Sequence, residues 1–427
     1  MHQQIGKWLV VAFEAEVHDP REQLEFSYLG RTFYIQPHND EFCNVISTFV
    51  EPGEDDREVL TTINRCFSAM AWKDDQFFVT RGWMTSGALL GDRNNPRFNY
   101  REKKHFPYGV IARFDFEHLM TPTDDRQRLA LALYREALGT DNEFYRFLSF
   151  FKIINIIEQG TRGQSTWINA NLDHLWDFRG KERRDALKQT VADIGQYLVV
   201  QGRCAIAHAN TQPIRDPDLP DDVSEIRADT PFMKGLAQVV IERELRVPSM
   251  RQIWREHLYE LSGFKSLLGN DLLNRLQRGE AIPRAELENR LGLVLSVGLR
   301  GYPPFEGLER LRYEVWRHDG SVIALKTRAE EPVTVVLVLD FANERLELAH
   351  DLIAYRPHSS RYTRPLAASV FRFFIALFSN GVVEVYRDDR SERLSFKNPF
   401  IGVDIDLRAT LDYFQARIDE LLATEAP

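Results

Sequence analysis

The sequence predicts an α+β protein of several domains, in which a central all-helical segment is flanked by mixed α/β segments. Three observations carry that expectation. Stretches rich in β-favouring residues, with partial alternation, crowd the first hundred residues. From about residue 122 the apolar residues fall three and four apart behind cap residues, the pattern of helices. From about residue 310 strand patterns return and close on one amphipathic helix. The expected domains are 1–121, 122–280 and 281–427. No period of roughly 20–50 residues repeats, so a solenoid is not expected.

In the first part, KWLVVAFEAEV (7–17), EQLEFSYLGRTFYIQP (22–37) and CNVISTFV (43–50) read as strands. REVLTTINRCFSAMAW (57–72) reads as a helix with Val59, Leu60, Ile63, Phe67 and Met70 on one face. DQFFVTRGW reads as another strand. LLGDRNNPRFNYREKKHFPYG (89–109) mixes turn formers, basic residues and aromatics, and reads as a loop with a local basic, aromatic surface.

The central part opens with TPTDDRQRLALALYREALG, which carries start signals and a stop at Gly139. In TDNEFYRFLSFFKIINIIEQG (140–160), Asp141 or Asn142 can cap a helix, and Glu143 suits its first turn. Phe144, Phe147, Leu148, Phe151, Ile154 and Ile157 form its broad apolar face, interrupted by Lys152, Asn155 and Glu158. Residues 179–209 read as a charged helix and then a second one through RCAIAH, with Gly195 and Gly202 as breaks. NTQPIRDPDLPDD reads as a loop. A helix is expected over 230–247, capped by Thr230 with Pro231 in its first turn, and one or two more over 249–279.

In the last part, 310–327 reads as a hairpin around His-Asp-Gly. PVTVVLVLDF reads as a buried strand paired with NERLELAH. Residues 364–381 form an apolar helix ended by Asn-Gly, VVEVYRDD and ERLSFKN are strands, and 407–423 is a terminal helix.

Composition narrows the function. The chain has 427 residues, 44% hydrophobic and 27% charged, with a net charge of −9. That argues against a generally basic nucleic-acid coat but permits one basic pocket. Cys43, Cys66 and Cys204 lie far apart and suggest neither a disulfide framework nor a zinc site, which fits a reducing cytosol. The N-terminal apolar run is too short for a signal peptide or a membrane span. Walker, GxGxxG, HExxH and GxSxG motifs are all absent, which weighs against common ATPases, dehydrogenases, zinc proteases and serine hydrolases. No cofactor and no metal is expected.

The stretch VQGRCAIAHANTQP (200–213) carries the leading candidate pair, Arg203 and His208. Five helical residues span about 140° around the axis, so the pair does not share a stripe. If the helix ends near Ala207, His208 can turn back toward Arg203, and the small residues between them let another backbone approach. Arg offers a permanently charged fork to phosphoryl oxygens, and His exchanges a proton near neutral pH. Together they suit metal-free cleavage of RNA. Glu158 can orient His208 or pair with Arg203, and Asn155, three residues earlier, shares its face. Two weaker constellations are RPHSSRYTRP (356–365), which can hold a phosphate or be a plain charged loop, and the pair Asp404 and Asp406, which lacks a third metal ligand.

FYRFLSFFKIINIIEQG resembles the aromatic first helix of the ApeA-like branch of the HEPN superfamily. RCAIAH resembles that superfamily's R-x(4–6)-H signature and its common form R-N-x-x-A-H. The likeness covers roughly residues 125–265, and the whole is similar to MauJ-type proteins, a group linked by name to methylamine utilisation. It implies a four-helix bundle of the kind found in many prokaryotic nucleases and nucleotide-handling toxins. It also implies Arg203 and His208 as the catalytic or RNA-binding pair, and a homodimer formed through the helical domain. The family's Asn is Cys204 here, and a thiol is a weak hydrogen-bond partner. Two functions therefore stay open. One is a metal-independent endoribonuclease or RNA-binding effector. The other is a catalytically silent, cytoplasmic interaction protein; neither involves a membrane.

Overall fold

The central strand of the first sheet, β1 (Lys7–Ala15), is buried from Trp8 to Phe13. A strand covered on both faces reads as a continuous apolar run rather than as an alternation, which explains WLVVAF. Around it lie β2 (Leu24–Tyr28), β3 (Arg31–Gln36), β4 (Asn44–Val50) and β5 (Phe78–Gly87), in the order β2-β3-β4-β1-β5, every pair antiparallel. The expected strand at 22–37 is thus a hairpin. Leu29 and Gly30 turn it, with φ of 51° and 74°. Two successive positive φ angles make the tight turn that matches strand twist, and a leucine at the first of them gives no turn signal in the sequence. Helix α1 (Asp56–Asp74) covers one face, packing Ile63, Phe67 and Met70 against Leu9, Val11 and Phe13.

The structure is a computed structural model and describes residues 6–15, 23–36, 43–87, 91–92, 95–96, 116–208, 213–379, 381–388, 390, 392–397 and 406–423. The chain is mixed α/β, with many helices and several sheets. It forms two compact units, Met1–Arg251 and Gln252–Pro427. The basic, aromatic loop expected at 89–109 lies almost wholly outside the described residues, and so does Asp404.

The rest of the first unit is helical. Helix α2 (Asp125–Leu138) starts at Asp124, which accepts from Gln127 N, and α3 (Glu143–Asn155) starts at Asn142, which accepts from Tyr145 N. Helix α4 (Thr161–Asn171) gives no apolar stripe, burying only Gln164, Ser165 and Ile168, and the sequence reading passes over it. After α5 (Phe178–Thr190) come three consecutive helical stretches, Ile194–Tyr197, Leu198–Cys204 and Ala205–Ala207, together α6, whose middle stretch is a π-helix. Helix α7 runs Pro220–Val239 and continues as a second π stretch, Val240–Glu244. It therefore starts ten residues before the expected cap at Thr230 and passes through Pro231. The hydroxyl of Thr230 instead bonds the Ile226 carbonyl at 2.8 Å. Phe147, Phe151, Leu198, Phe232 and Leu236 share one core with the end of α1, where Trp72 meets Tyr134 edge-on.

In the second unit, β6 (Val294–Leu299), β7 (Leu311–Asp319), β8 (Val322–Thr327), β9 (Val336–Asp340), β10 (Arg345–Leu348), β11 (Val383–Arg387) and β12 (Glu392–Lys397) form a sheet in the order β10-β9-β8-β7-β6-β11-β12. The expected hairpin turns at Gly320, whose φ is +55°. Helices α8 (Ser262–Gln277), α9 (Arg284–Leu291), α10 (Arg364–Phe378) and α11 (Leu407–Ala423) complete the unit. The boundary expected at residue 280 falls between α8 and α9, which both contribute leucines to this unit's core.

Candidate functional site

Helix α6 is pinned at its start. Asp193 accepts from Gln196 N at 2.7 Å and from Asn169 Nδ2 at 2.8 Å. The Asn169 bond first, then the backbone bond, holds this carboxyl below its usual range. Two glycines set how closely the helix packs. A Cβ on Gly195 would lie 2.2 Å from the Ser165 carbonyl oxygen, and one on Gly202 would lie 2.6 Å from the Phe147 ring. Both were expected as breaks, yet the break is at 191–193 and the glycines are contact points. Gly202 is how α3 reaches the helix that carries Arg203.

Arg203 sits in the π stretch, half-buried. Its guanidinium donates to the Cys204 sulfur at 3.4 Å, and no carboxylate pairs with it among the described residues. The helix ends at Ala207, as the Arg–His argument requires. His208 follows in extended conformation (φ −127°, ψ 103°), exposed, with its backbone N–H on the Cys204 carbonyl. π stretches inside α-helices occur frequently at functional sites.

Asn155 and Glu158 meet different neighbours. Buried Gln164 donates to Asn155 Oδ1 at 2.8 Å and to the Glu158 carbonyl at 3.0 Å, closing the turn between α3 and α4. The Glu158 carboxylate lies over Gly163, where a Cβ would come within 2.5 Å of Oε2. Among the described residues no hydrogen bond or ion pair joins Glu158 to Arg203 or His208.

The sequence reading missed a polar cluster that braces α6 from the other side. Arg183 donates to Asp229 Oδ1 at 2.7 Å. The Tyr197 hydroxyl lies 2.8 Å from both Glu225 Oε1 and Asp229 Oδ2. Arg215 pairs with Asp222 at 2.7 Å and Glu225 at 2.6 Å, and its Nε donates to the Gln201 carbonyl at 3.1 Å. One phenolic proton cannot serve two carboxylates. Burial is the largest influence on Asp229, and it pushes that carboxyl up despite Arg183 and Tyr197. Burial also pushes Glu225 up, but the bonds from Arg215 and Tyr197 outweigh it and hold Glu225 low. Asp229 is therefore the acid that keeps a proton more readily. The signal was present: Asp222, Glu225 and Asp229 fall at i, i+3 and i+7. It was hidden because the helix was expected to begin at Thr230.

The loop at 356–365 is a structural clamp. Arg356 bonds Thr334 Oγ1 at 2.9 Å and the carbonyls of Glu331 and Arg328. Arg361 and Arg312 both pair with Glu331, which is 0% exposed. Among the described residues no group of three or more His, Cys, Asp or Glu gathers to hold a metal, and no helix is long and apolar enough to cross a membrane.

Fold and site together define a mixed α/β protein whose helical layer carries Arg203 and His208 without a carboxylate partner among the described residues. Residues 130–242 match the family described as Methylamine utilization protein MauJ. That span holds Asn155, Glu158, Arg203, Cys204, His208 and the Tyr197 cluster, and none of the second unit. No curated protein and no solved structure matches the chain.

Proposed function

We propose that the helical layer is a HEPN-type domain that binds RNA and cleaves it without a metal, in a reducing cytosol. In this reading α3 is the domain's aromatic first helix and α6 carries its motif. One observation supports it above the rest: Arg203 and His208 flank the end of α6, and among the described residues no carboxylate neutralises them. The ribose 2′-oxygen attacks phosphorus and the bond to the 5′-oxygen breaks. His208 takes the 2′ proton or supplies the 5′-oxygen with one, and Arg203 stabilises the charge on the pentacoordinate phosphorus. The products are a 2′,3′-cyclic phosphate and a 5′-hydroxyl. Pairing two such motifs across a cleft makes the active species a homodimer.

Cys204 supports a second reading, a MauJ-type accessory protein that dimerises and cleaves nothing. A thiol is a poor substitute for an amide in orienting either the phosphate or the imidazole. Purified protein incubated with total RNA in EDTA separates the two. The first reading expects ends with cyclic phosphates, a loss of roughly 10²–10⁴-fold in His208→Ala and of roughly 10²–10³-fold in Arg203→Ala. RNA left intact and unbound by the wild-type protein rejects it and favours the accessory role.

A further inference from the structure

The first unit holds an open cleft of about 620 Å³, formed by the end of α1, α2, α3, the start of α5 and α7. Neither Arg203 nor His208 lines it. Its volume is that of a small-molecule site, and Phe77, Phe150, Trp176 and Phe178 give it aromatic walls.

Its polar groups are left unusually incomplete. The Tyr134 hydroxyl donates to Asp75 Oδ1 at 2.6 Å, so its oxygen is free only to accept. It accepts from Gln238 Nε2 at 2.7 Å. That relay fixes the Gln238 amide and leaves its Oε1 as an acceptor, in a side chain 2% exposed, with no donor among the described residues. Buried polar atoms are paired in the great majority of cases, so an orphan in a cleft wall points to an absent partner. Two donors among the lining residues are also orphaned, Trp176 Nε1 and Arg146 Nε.

The charges divide in the same way. Lys234 is taken by Asp75 at 2.8 Å, and Asp177 is taken by the backbone N–H of Gly180 at 2.9 Å. Arg179 has no ion pair among the described residues. It lies 5.9 Å from the ring of Phe178, a phenylalanine that is 68% exposed at the rim. An exposed aromatic beside an unneutralised guanidinium suits a ligand that brings a ring and a negative charge together.

We propose that this cleft binds a planar aromatic anion that also carries one hydrogen-bond donor. The ring packs on the aromatic walls, the donor meets Gln238 Oε1, and the acid group meets Arg179, since Arg146 is already paired with Glu143 at 3.2 Å. The probe 8-anilinonaphthalene-1-sulfonate carries all three features: fused rings, a sulfonate and an N–H. Calorimetric titration of the full chain should show one saturable site. Arg179→Ala, at an exposed position, should weaken it roughly tenfold, and Gln238→Leu should do the same. N-phenyl-1-naphthylamine, which lacks the sulfonate, should bind the wild-type chain roughly tenfold more weakly and be indifferent to Arg179→Ala. Absence of a saturable site overturns the proposal. So does sulfonate binding that Arg179→Ala leaves unchanged, whether or not Gln238→Leu folds.

Discussion

Arg361, in a basic loop, and Arg203, in a stretch of small and apolar residues, both draw attention in the sequence, and the fold treats them oppositely. Arg361 joins Arg312 on a carboxylate with no solvent contact, while Arg356 nearby spends its donors on carbonyls and a threonine hydroxyl. Among the described residues, the Arg203 guanidinium meets a thiol and no carboxylate. The number of cations in a stretch does not distinguish the two cases. The difference lies in a buried acid supplied by a remote part of the chain: Glu331 is thirty residues from Arg361 in sequence and has no counterpart near Arg203 among the described residues. A cation already committed to a buried acid holds the fold together, whereas an uncommitted one is free for a ligand.

Three sets of substitutions sharpen that contrast. The largest effect is expected from Arg312→Ala combined with Arg361→Ala, which leaves Glu331 buried and uncompensated. Denaturant unfolding should show a clearly lowered midpoint with an unchanged slope. An unchanged midpoint would mean that Glu331 is not held as described.

A middle effect is expected at Asp229, where direction matters more than size. Its carboxyl is raised in the folded protein. The native state therefore holds that proton more tightly than the unfolded chain does. The resulting stability is fully present below the ordinary carboxylate pKa, about 4, and is lost as pH rises through the raised value. Asp229→Asn mimics the protonated acid and lacks this loss. Its stability should gain on the wild type as pH rises from about 4 to 7. An ordinary salt bridge to Arg183 would depress the carboxyl instead, and the variant would show no gain over this range.

The smallest effect is expected at the candidate pair itself. Arg203→Ala and His208→Ala should each change stability by no more than about 0.5 kcal/mol, because neither side chain is committed to a partner that matters for folding. A melting temperature well below the wild type's for Arg203→Ala would place it with Arg361 instead.

Much of the fold was legible where local chemistry decides it. The caps at Asp124 and Asn142, the His-Asp-Gly hairpin and the helix at 407–423 follow from cap residues, turn residues and spacing. The misses share a cause, since each depends on contacts that the local pattern does not encode. Helix α4 buries Gln164 and Ser165, so it has no apolar stripe to read. Leu29 takes a positive φ that its neighbours impose. Pro231 looked like a first-turn proline because nothing local shows that helix α7 has already begun. At the candidate site, the sequence showed a helix through Arg203, while its end at Ala207 entered only as a condition. The Tyr197–Asp229 cluster and the place of Gln164 under Asn155 were not legible.

The π stretch at Leu198–Cys204 makes residue number an unreliable measure of direction along α6. Every residue it holds beyond an α count shifts the phase of the later residues by about 100° around the axis. Tyr197 and Leu198 lock the early part of the helix to its surroundings, so the shift falls on Arg203 and the residues after it. Another chain with the same letters from Arg to His in an unbroken α-helix would aim them elsewhere. Removing one residue between Leu198 and Gly202 would keep the motif intact on paper and turn it to face a different side.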